Sequence, residues 1–177
     1  EAIFSSLFPK HPYGTQTVLG TQENLKNPSI TNIKNYYKQW YVPNNMAICM
    51  SGDLDPDATI ALIDKYFGGL KPNPELPKLD LPKEAPITQP VVKEVLGPDA
   101  ESVALAWRFP GVSDKDFEIL QVVSQVLYNG KAGLIDLDLN QQQKVLNSYG
   151  YPMGLADYSA LLLGGLPKQG QTLEEVK

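Results

Sequence analysis

The fold is decided by one stretch in the first half of the chain, residues 40–56, which reads WYVPNNMAICMSGDLDP. A proline and two asparagines at positions 43–45 predict a turn that ends a helix. The nearly continuous apolar run at 46–51 predicts a short buried strand. Asp55, which directly precedes a proline, predicts the N-cap of a second helix. The stretch therefore predicts a helix, a turn, a strand and another helix in close succession.

The two helices that flank the turn and the strand have amphipathic patterns. Ser29 is the predicted N-cap of the first helix, and Gly68 and Gly69 are the predicted stop of the second. Apolar side chains recur at helical spacing along both helices. They are Ile33, Tyr36, Tyr37 and Trp40 in the first helix, and Ile60, Ile63 and Phe67 in the second. We expect both apolar stripes to face a core.

A proline-rich segment separates the two halves of the chain. Residues 71–90 contain six prolines, with acidic residues between them. Proline removes backbone hydrogen-bond donors and favours an extended chain. The segment is therefore predicted to be a semi-rigid linker rather than part of a core.

The second half of the chain begins with strands. Residues 91–96 and 102–109 predict a hairpin, because Gly97, Pro98 and Asp99 lie between them. The remaining predicted elements are a helix capped by Ser113, a helix at 133–143, strands at 144–152 and 158–164, and a last helix opened by Thr172 and Glu175. This pattern predicts an α+β fold, with two lobes of mixed, mostly antiparallel sheet and helices packed on one face.

Composition excludes some classes of function. The chain has 177 residues, of which 42% are hydrophobic, and a net charge of −5. That charge argues against a nucleic-acid-binding protein, which needs a basic stripe to contact phosphates. No run approaches the ~20 apolar residues of a membrane span. The single cysteine, Cys49, is predicted to be a buried structural thiol, since it lies in an apolar run.

The two ends of the sequence have the character of cut ends. The chain opens on Glu1 rather than on methionine, and the capping box at Thr172 lies five residues before the last residue. We therefore expect the chain to be an excised fragment of a longer protein.

Metal and nucleophile chemistry has few candidates in this sequence. A catalytic zinc site takes three protein ligands, and this chain has one histidine, His11, and one cysteine. We therefore assign no catalytic and no metal-binding residue, and interpret His11 as a structural side chain that hydrogen-bonds loop backbone.

Carboxylates at Asp53, Asp55 and Asp57 are spaced as in a calcium loop, but Ala58 stands where that loop needs glycine. Helix capping by Asp55 is the preferred interpretation.

Two segments carry a resemblance to a known family. The first is the sequence FPKHPYG at 8–14, which contains the turn HPYG. The second runs from Tyr36 through the turn YVPNNM into SGDLD and ends at YFGGL, residue 70. In this order they resemble the pitrilysin/insulysin-type zinc peptidases, which include the mitochondrial processing peptidases. The fold implied is that of the processing peptidases and the metalloenzyme LuxS.

The resemblance implies that the zinc site and this chain lie in different parts of the parent protein. In that family the zinc motif H-x-x-E-H and a later glutamate lie upstream of the HPxG turn. Zinc is therefore expected in the parent protein and none in this chain, which resembles the inactive domain. Residues 1–70 would be the C-terminal part of the catalytic-type lobe, 71–90 the linker, and 91–177 the start of the homologous non-catalytic lobe.

The motif residues are expected to be structural. They are His11, Pro12, Tyr13, Gly14, Pro43, Asn44, Asn45, Gly52, Asp53 and Asp55. The implied role is a chamber wall and hinge that enclose an unfolded peptide, with the upstream catalytic lobe or a partner subunit as neighbour. The alternative is a scaffold or partner subunit of a zinc-peptidase-like heterodimer that has lost the zinc motif.

Overall fold

The structure is a computed structural model that describes all 177 residues. Two compact units make up the chain. Unit 1 comprises Glu1–Thr15 and Lys83–Lys177, and unit 2 comprises Gln16–Pro82. These limits differ from the predicted boundaries at residues 70 and 90. The assignment of the predicted stretches to a catalytic-type lobe, a linker and a second lobe stays a prediction.

The chain forms seven α-helices and three strands. The helices are α1 (Ala2–Leu7), α2 (Pro12–Thr15), α3 (Gln22–Lys26), α4 (Ile30–Trp40), α5 (Pro56–Phe67), α6 (Lys115–Leu127) and α7 (Leu173–Val176). The strands are β1 (Val103–Pro110), β2 (Asn147–Gly154) and β3 (Tyr158–Leu166). A 3-10 turn at Pro43–Asn45 and a π-helical turn at Asp136–Asn140 complete the regular structure.

The sheet lies in unit 1 and is antiparallel throughout. Its order is β1-β3-β2, so β3 is central and the other two strands form its edges. Ala160 in the middle of β3 lies opposite Arg108 of β1 and Met153 of β2. Helices together with an antiparallel sheet confirm the predicted α+β class.

Helices cover both faces of this sheet. One face carries Ala106, Ala160 and Leu162, which pack against α1 through the buried side chains of Leu7 and Phe8. Side chains alternate between faces along a strand. The other face therefore carries Leu163, Gly150 and Gly154, and there α6 lies close enough for its Phe117 ring to occupy the space beside Gly154. The helix α7 contacts that second face through Val176, beside Gly165.

Unit 2 is helical, and its helix starts are as predicted. Ser29 caps α4, since its side chain accepts from the N–H of Asn32 at 3.3 Å. Asp55 caps α5 in the same way, accepting from the N–H of Ala58 at 2.9 Å. These caps satisfy backbone donors that have no partner inside the helix.

The predicted strand at 46–51 is wrong. Those residues form no strand, and Cys49 is exposed rather than buried. A strand needs a second strand to satisfy its backbone groups, and the only sheet in the structure lies in unit 1. The apolar run therefore has no neighbour within unit 2 that could pair with it.

The predicted burial of the helix stripes in unit 2 is also wrong. Tyr36 on α4 is 61% exposed and Ile60 on α5 is 63% exposed. Val42 is the one buried hydrophobic side chain of the unit. The helices are therefore amphipathic, as the sequence indicates, but their apolar faces lie on the surface of this chain.

Three details of the second half also differ from prediction. Residues 91–96 form no strand, so the predicted hairpin is absent. Asp114 rather than Ser113 caps α6, because its carboxylate accepts from the N–H of Asp116. The helix predicted at 133–143 is shorter and contains the π-helical turn. The capping box of Thr172 and Glu175 is confirmed.

No helix of this chain is both long enough and apolar enough to span a bilayer.

Candidate functional site

The turn at residues 11–14 is built around a glycine that leaves no room for a side chain. A Cβ atom on Gly14 would lie 2.2 Å from the carbonyl oxygen of Phe8. The N–H of Gly14 donates to the carbonyl of His11 at 3.0 Å, which closes the turn. Pro12 occupies the first position of α2. Proline is favoured at a first helical position because its missing N–H has no partner there.

The imidazole of His11 lies inside unit 1, where it is 1% exposed. Its Nδ1 accepts from the backbone N–H of Tyr13 at 3.2 Å, so the predicted contact with loop backbone is present. That contact leaves the proton of the neutral ring on Nε2. Nε2 lies 3.5 Å from Oδ2 of Asp157 and forms no hydrogen bond. Tyr13 also reaches Asp157, through its hydroxyl at 3.2 Å.

A buried glutamate holds the backbone in front of this turn. One carboxylate oxygen of Glu84 accepts the N–H groups of both Lys10 and His11, each at 2.7 Å. The backbone N–H of Glu84 donates to the hydroxyl of Tyr158 at 2.8 Å. Two charge-assisted bonds to successive N–H groups fix the chain direction at the start of the turn.

Arg108 completes this polar cluster. Its guanidinium donates to the carbonyl oxygens of Leu7 and Ala85, and lies 3.9 Å from the second carboxylate oxygen of Glu84. It also stacks over the ring of Tyr158, 5.6 Å from the centroid. The guanidinium thereby joins β1 to α1 and to the segment that follows Pro82. We call these side chains the His11 cluster: His11, Tyr13, Glu84, Arg108, Asp157 and Tyr158.

The His11 cluster fixes backbone and does not fit a zinc site. The free nitrogen of His11 faces one carboxylate, whereas a zinc site needs three or four convergent donors. No group of three histidine, cysteine or acidic side chains converges in the structure. The zinc that the family resemblance implies therefore finds no fitting set of residues in this chain.

Sequence reasoning identified His11 and Tyr13 but missed the other four members of the cluster. Glu84 lies between two prolines of the predicted linker and was interpreted as linker charge. Arg108 is the only arginine of the chain and stands inside an apolar strand, which is a signal that could have been used. Asp157 and Tyr158 lie about 145 residues from the turn, beyond the reach of local patterns.

The asparagine turn of unit 2 forms a second structural site. Asn44 exchanges two hydrogen bonds with the backbone of Asn73, donating at 2.8 Å and accepting at 2.9 Å. Asn45 donates to the carbonyl of Trp40 at 2.9 Å, which caps the end of α4. Pro43 opens the 3-10 turn that presents both amides. The motif therefore ties the end of α4 to the proline-rich segment.

The acidic residues after this turn do not form an ion site. Asp55 is engaged as the cap of α5, and Asp53 is exposed with no side-chain hydrogen bond. Gly52 has open space where a side chain would project. The calcium interpretation of this stretch finds no convergent carboxylates in the structure.

A further buried carboxylate, Asp136, organises the loop after α6. It accepts from the backbone N–H groups of Asn129 at 3.0 Å and Gly133 at 3.1 Å. Burial alone would raise its pKa, but these bonds and those from Gly130 and Asn140 together bring the pKa below its ordinary value. No local sequence pattern indicates this role, since residues 133–143 predict an ordinary helix.

Unit 2 also carries an apolar groove of about 250 Å³. Its lining residues are Pro43, Met46, Ile48, Phe67 and Leu70. The apolar sides of residues 46–51 and of α5 thus share one open depression.

Comparison with known proteins places the chain in a family. Residues 29–175 match the family described as the peptidase M16 inactive domain. The zinc protease PqqE of Helicobacter pylori is 28% identical over 172 residues, which cover 93% of this chain and 38% of that protein. This chain thus spans about two fifths of that curated relative.

Solved structures share the fold. A crystal structure of a protease from Helicobacter pylori covers 93% of this chain with a TM-score of 0.73 and 26% identity, and this chain covers 40% of it. A chain of complex III2 from Candida albicans covers 98% of this chain with a TM-score of 0.69 at 14% identity, and this chain covers 44% of that one. At that identity the second likeness concerns the fold alone. The family match extends over most of the chain, and the chain therefore belongs to the peptidase M16 family, as its inactive domain.

Proposed function

We propose that this chain is the non-catalytic part of a zinc-dependent endopeptidase, in which it forms chamber wall and hinge around an unfolded peptide. The observation that carries the proposal is the uncovered apolar surface of unit 2, where α4 and α5 are capped but only Val42 is buried. A helix with one exposed apolar face stabilises a protein when a partner covers that face.

The upstream catalytic lobe of the same polypeptide is the proposed partner for this surface. The name of the relative PqqE, a zinc protease, supports that assignment, since this chain matches about two fifths of its length. The zinc, the activated water and the cleavage would belong to the catalytic lobe. This chain would contribute only positioning and enclosure, because its own polar cluster is committed to backbone contacts.

The test mixes the purified chain with the separately expressed upstream lobe and measures association and hydrolysis of a quenched peptide. We expect association, zinc-dependent cleavage by the mixture and no cleavage by the chain alone. Ile33→Asp places a charge in the exposed stripe of α4 and should weaken association by about tenfold or more. Asn35→Asp, at an exposed polar position of the same helix, is the matched control.

Two outcomes would contradict the proposal. One is chelator-sensitive peptide cleavage by the chain alone. The other is equal association of the Ile33→Asp and Asn35→Asp variants, which would place the lobe contact elsewhere.

A second candidate function is a scaffold or partner subunit of a zinc-peptidase-like heterodimer without the zinc motif. This second function is supported by the presence of the same fold in a chain of complex III2. The coding sequence upstream of residue 1 distinguishes the two. An H-x-x-E-H motif roughly a hundred residues before His11 supports the peptidase, and a gene without it supports the partner subunit.

A further inference from the structure

Asparagine is followed by glycine at one place in the chain, Asn129–Gly130, in the loop after α6. Both residues are exposed to solvent. Gly130 has a positive φ of 77°, and the space where a side chain would project is open. No side chain therefore shields the backbone nitrogen of Gly130. In this sequence context the side-chain amide of an asparagine is most readily attacked by the backbone nitrogen that follows it.

The reaction open to this pair is deamidation through a cyclic imide. The nitrogen of Gly130 forms a bond to Cγ of Asn129, and the bond from Cγ to Nδ2 breaks. The proton of the Gly130 N–H leaves with Nδ2 as ammonia, so the step involves no oxidation or reduction. Water then opens the imide at either carbonyl, which yields aspartate or isoaspartate at position 129.

In the folded chain the side chain of Asn129 is held by three hydrogen bonds. Its Oδ1 accepts from the N–H groups of Lys131 at 3.1 Å and Ala132 at 2.9 Å. Its Nδ2 donates to the carbonyl of Gln125 at 3.0 Å. Since Nδ2 is the leaving group, ring closure must break the bond to Gln125. The two bonds to Oδ1 restrain rotation of the amide group before that step.

Asp136 holds the backbone around Gly130. Its Oδ2 accepts from the N–H groups of Asn129 at 3.0 Å and Gly133 at 3.1 Å. The N–H of Gly130 also contacts this carboxylate. Bonds from backbone N–H groups to a charged acceptor are stronger than bonds to a neutral one. They fix the peptide groups of the loop, so the nitrogen of Gly130 closes on Cγ only after the loop has opened.

We propose that Asn129 is a self-modification site, and that Asp136 holds back its reaction while the loop is closed. Local opening of the loop releases the Gly130 nitrogen and the Asn129 amide together. The rate of modification then follows how often this loop opens, rather than how often the whole chain unfolds. The inference concerns unit 1 alone and does not depend on the proposed function.

The product of the reaction favours the open loop. In the unmodified chain Nδ2 of Asn129 donates to a carbonyl in the last turn of α6. The aspartate that replaces it has no such donor and carries a negative charge, which the C-terminal end of a helix disfavours. The carboxylate of Asp136 lies nearby and repels it as well. The modified loop therefore closes less readily, and the reaction leaves a lasting chemical record of loop opening.

Peptide mapping by mass spectrometry tests the site in the full chain at mildly alkaline pH. Conversion of Asn129 is followed as the mass increase of an amide that becomes an acid, once in buffer and once in urea. We expect conversion in urea and a rate in buffer that is lower by about tenfold or more. Asn147, which precedes Ser148, is the internal reference and should convert more slowly in urea, because a side chain shields the next nitrogen. Absence of conversion at Asn129 in urea would overturn the site, and equal rates in the two media would overturn its protection by the fold.

The role of the carboxylate is tested by Asp136→Ala, with Asp138→Ala at an exposed position of the same turn as the matched control. We expect Asn129 to convert about tenfold faster in the first variant, while slow amide exchange in β3 shows that both variants stay folded. If Asp136→Ala unfolds globally, the same comparison is made with Asp136→Asn, which keeps one acceptor oxygen for the loop and should convert faster than the control. Equal rates in the Asp136 variant and the control would overturn the protective role. A slower reaction in the Asp136 variant would mean that the carboxylate acts as a base, and would overturn that role too.

Discussion

The helices of unit 1 and unit 2 begin with the same kinds of capping residue, but the two units differ in how much of their apolar surface is buried. Both contain helices whose first turns are capped by acidic or hydroxyl side chains, such as Asp114 in unit 1 and Asp55 in unit 2. Unit 1 packs its helices on both faces of a sheet and encloses Phe8 and Leu162. Unit 2 leaves the apolar faces of its helices exposed. Local signals therefore place helices in both units, whereas a core forms only where a second layer is present.

The largest expected difference between the units comes from truncating one aromatic ring in each. Phe8 is fully buried in the core of unit 1, so Phe8→Ala should lower the free energy of unfolding by about 3–5 kcal/mol. Tyr36→Ala, on the exposed face of α4, should change it by less than about 0.5 kcal/mol. Urea unfolding of the two variants measures both values. A loss for Tyr36→Ala as large as that for Phe8→Ala would mean that unit 2 has a core of its own.

The His11 cluster predicts the second largest effect. Glu84→Ala leaves the N–H groups of Lys10 and His11 without an acceptor and removes the carboxylate beside Arg108. We expect a loss of about 1–3 kcal/mol in the free energy of unfolding. Glu94→Ala, at an exposed position of the same unit, is the matched control and should be nearly neutral. Equal stability of the two variants would show that the cluster does not hold the turn.

The asparagine turn predicts a smaller effect, confined to unit 2. Asn44→Ala removes two exposed hydrogen bonds to the backbone of Asn73. We expect this change to lower the free energy of unfolding by about 0.5–1.5 kcal/mol. The amide of Asn73 should then exchange faster with solvent, while amides of β3 keep their rates. Gln16→Ala, an exposed change in the same unit, should leave Asn73 unaffected. Faster exchange in β3 would indicate that the two units unfold together.

The smallest expected effect is a change in pH dependence within unit 1. The pKa of Asp136 is lowered in the folded chain, so its carboxylate adds stability above the pKa of an unfolded aspartate, about 3.9. That contribution is lost as the pH falls through the lower folded value. Asp136→Asn should therefore flatten the acid limb of a stability–pH curve, and Asp138→Asn, at an exposed position, should not. An unchanged acid limb in Asp136→Asn would contradict the role of this carboxylate.

Features encoded by neighbouring residues were predictable from the sequence. The caps at Ser29, Asp55 and Thr172 depend on three or four consecutive residues, and each is present. The strands β1 and β3 follow apolar runs bounded by turn residues, and each of the three strands lies within a few residues of its predicted position. The α+β class follows from those elements.

Features that depend on distant parts of the chain were not predictable. The apolar stripe of α4 predicts an amphipathic helix, which is present, but the predicted burial of the stripe is wrong because burial needs a partner layer that the pattern does not specify. Met46–Ser51 has strand composition without a strand to pair with. The His11 cluster joins residues separated by 73 and 144 positions, and no local spacing connects Glu84 or Asp157 to the turn.

The reciprocal amide contact between Asn44 and Asn73 has a consequence for how unit 2 responds to its medium. Both partners are neutral, and neither gains or loses a proton in the range where proteins stay folded. Salt screens charges and leaves a neutral amide pair almost untouched. The tether between the end of α4 and the proline-rich segment should therefore persist through changes of acidity and ionic strength.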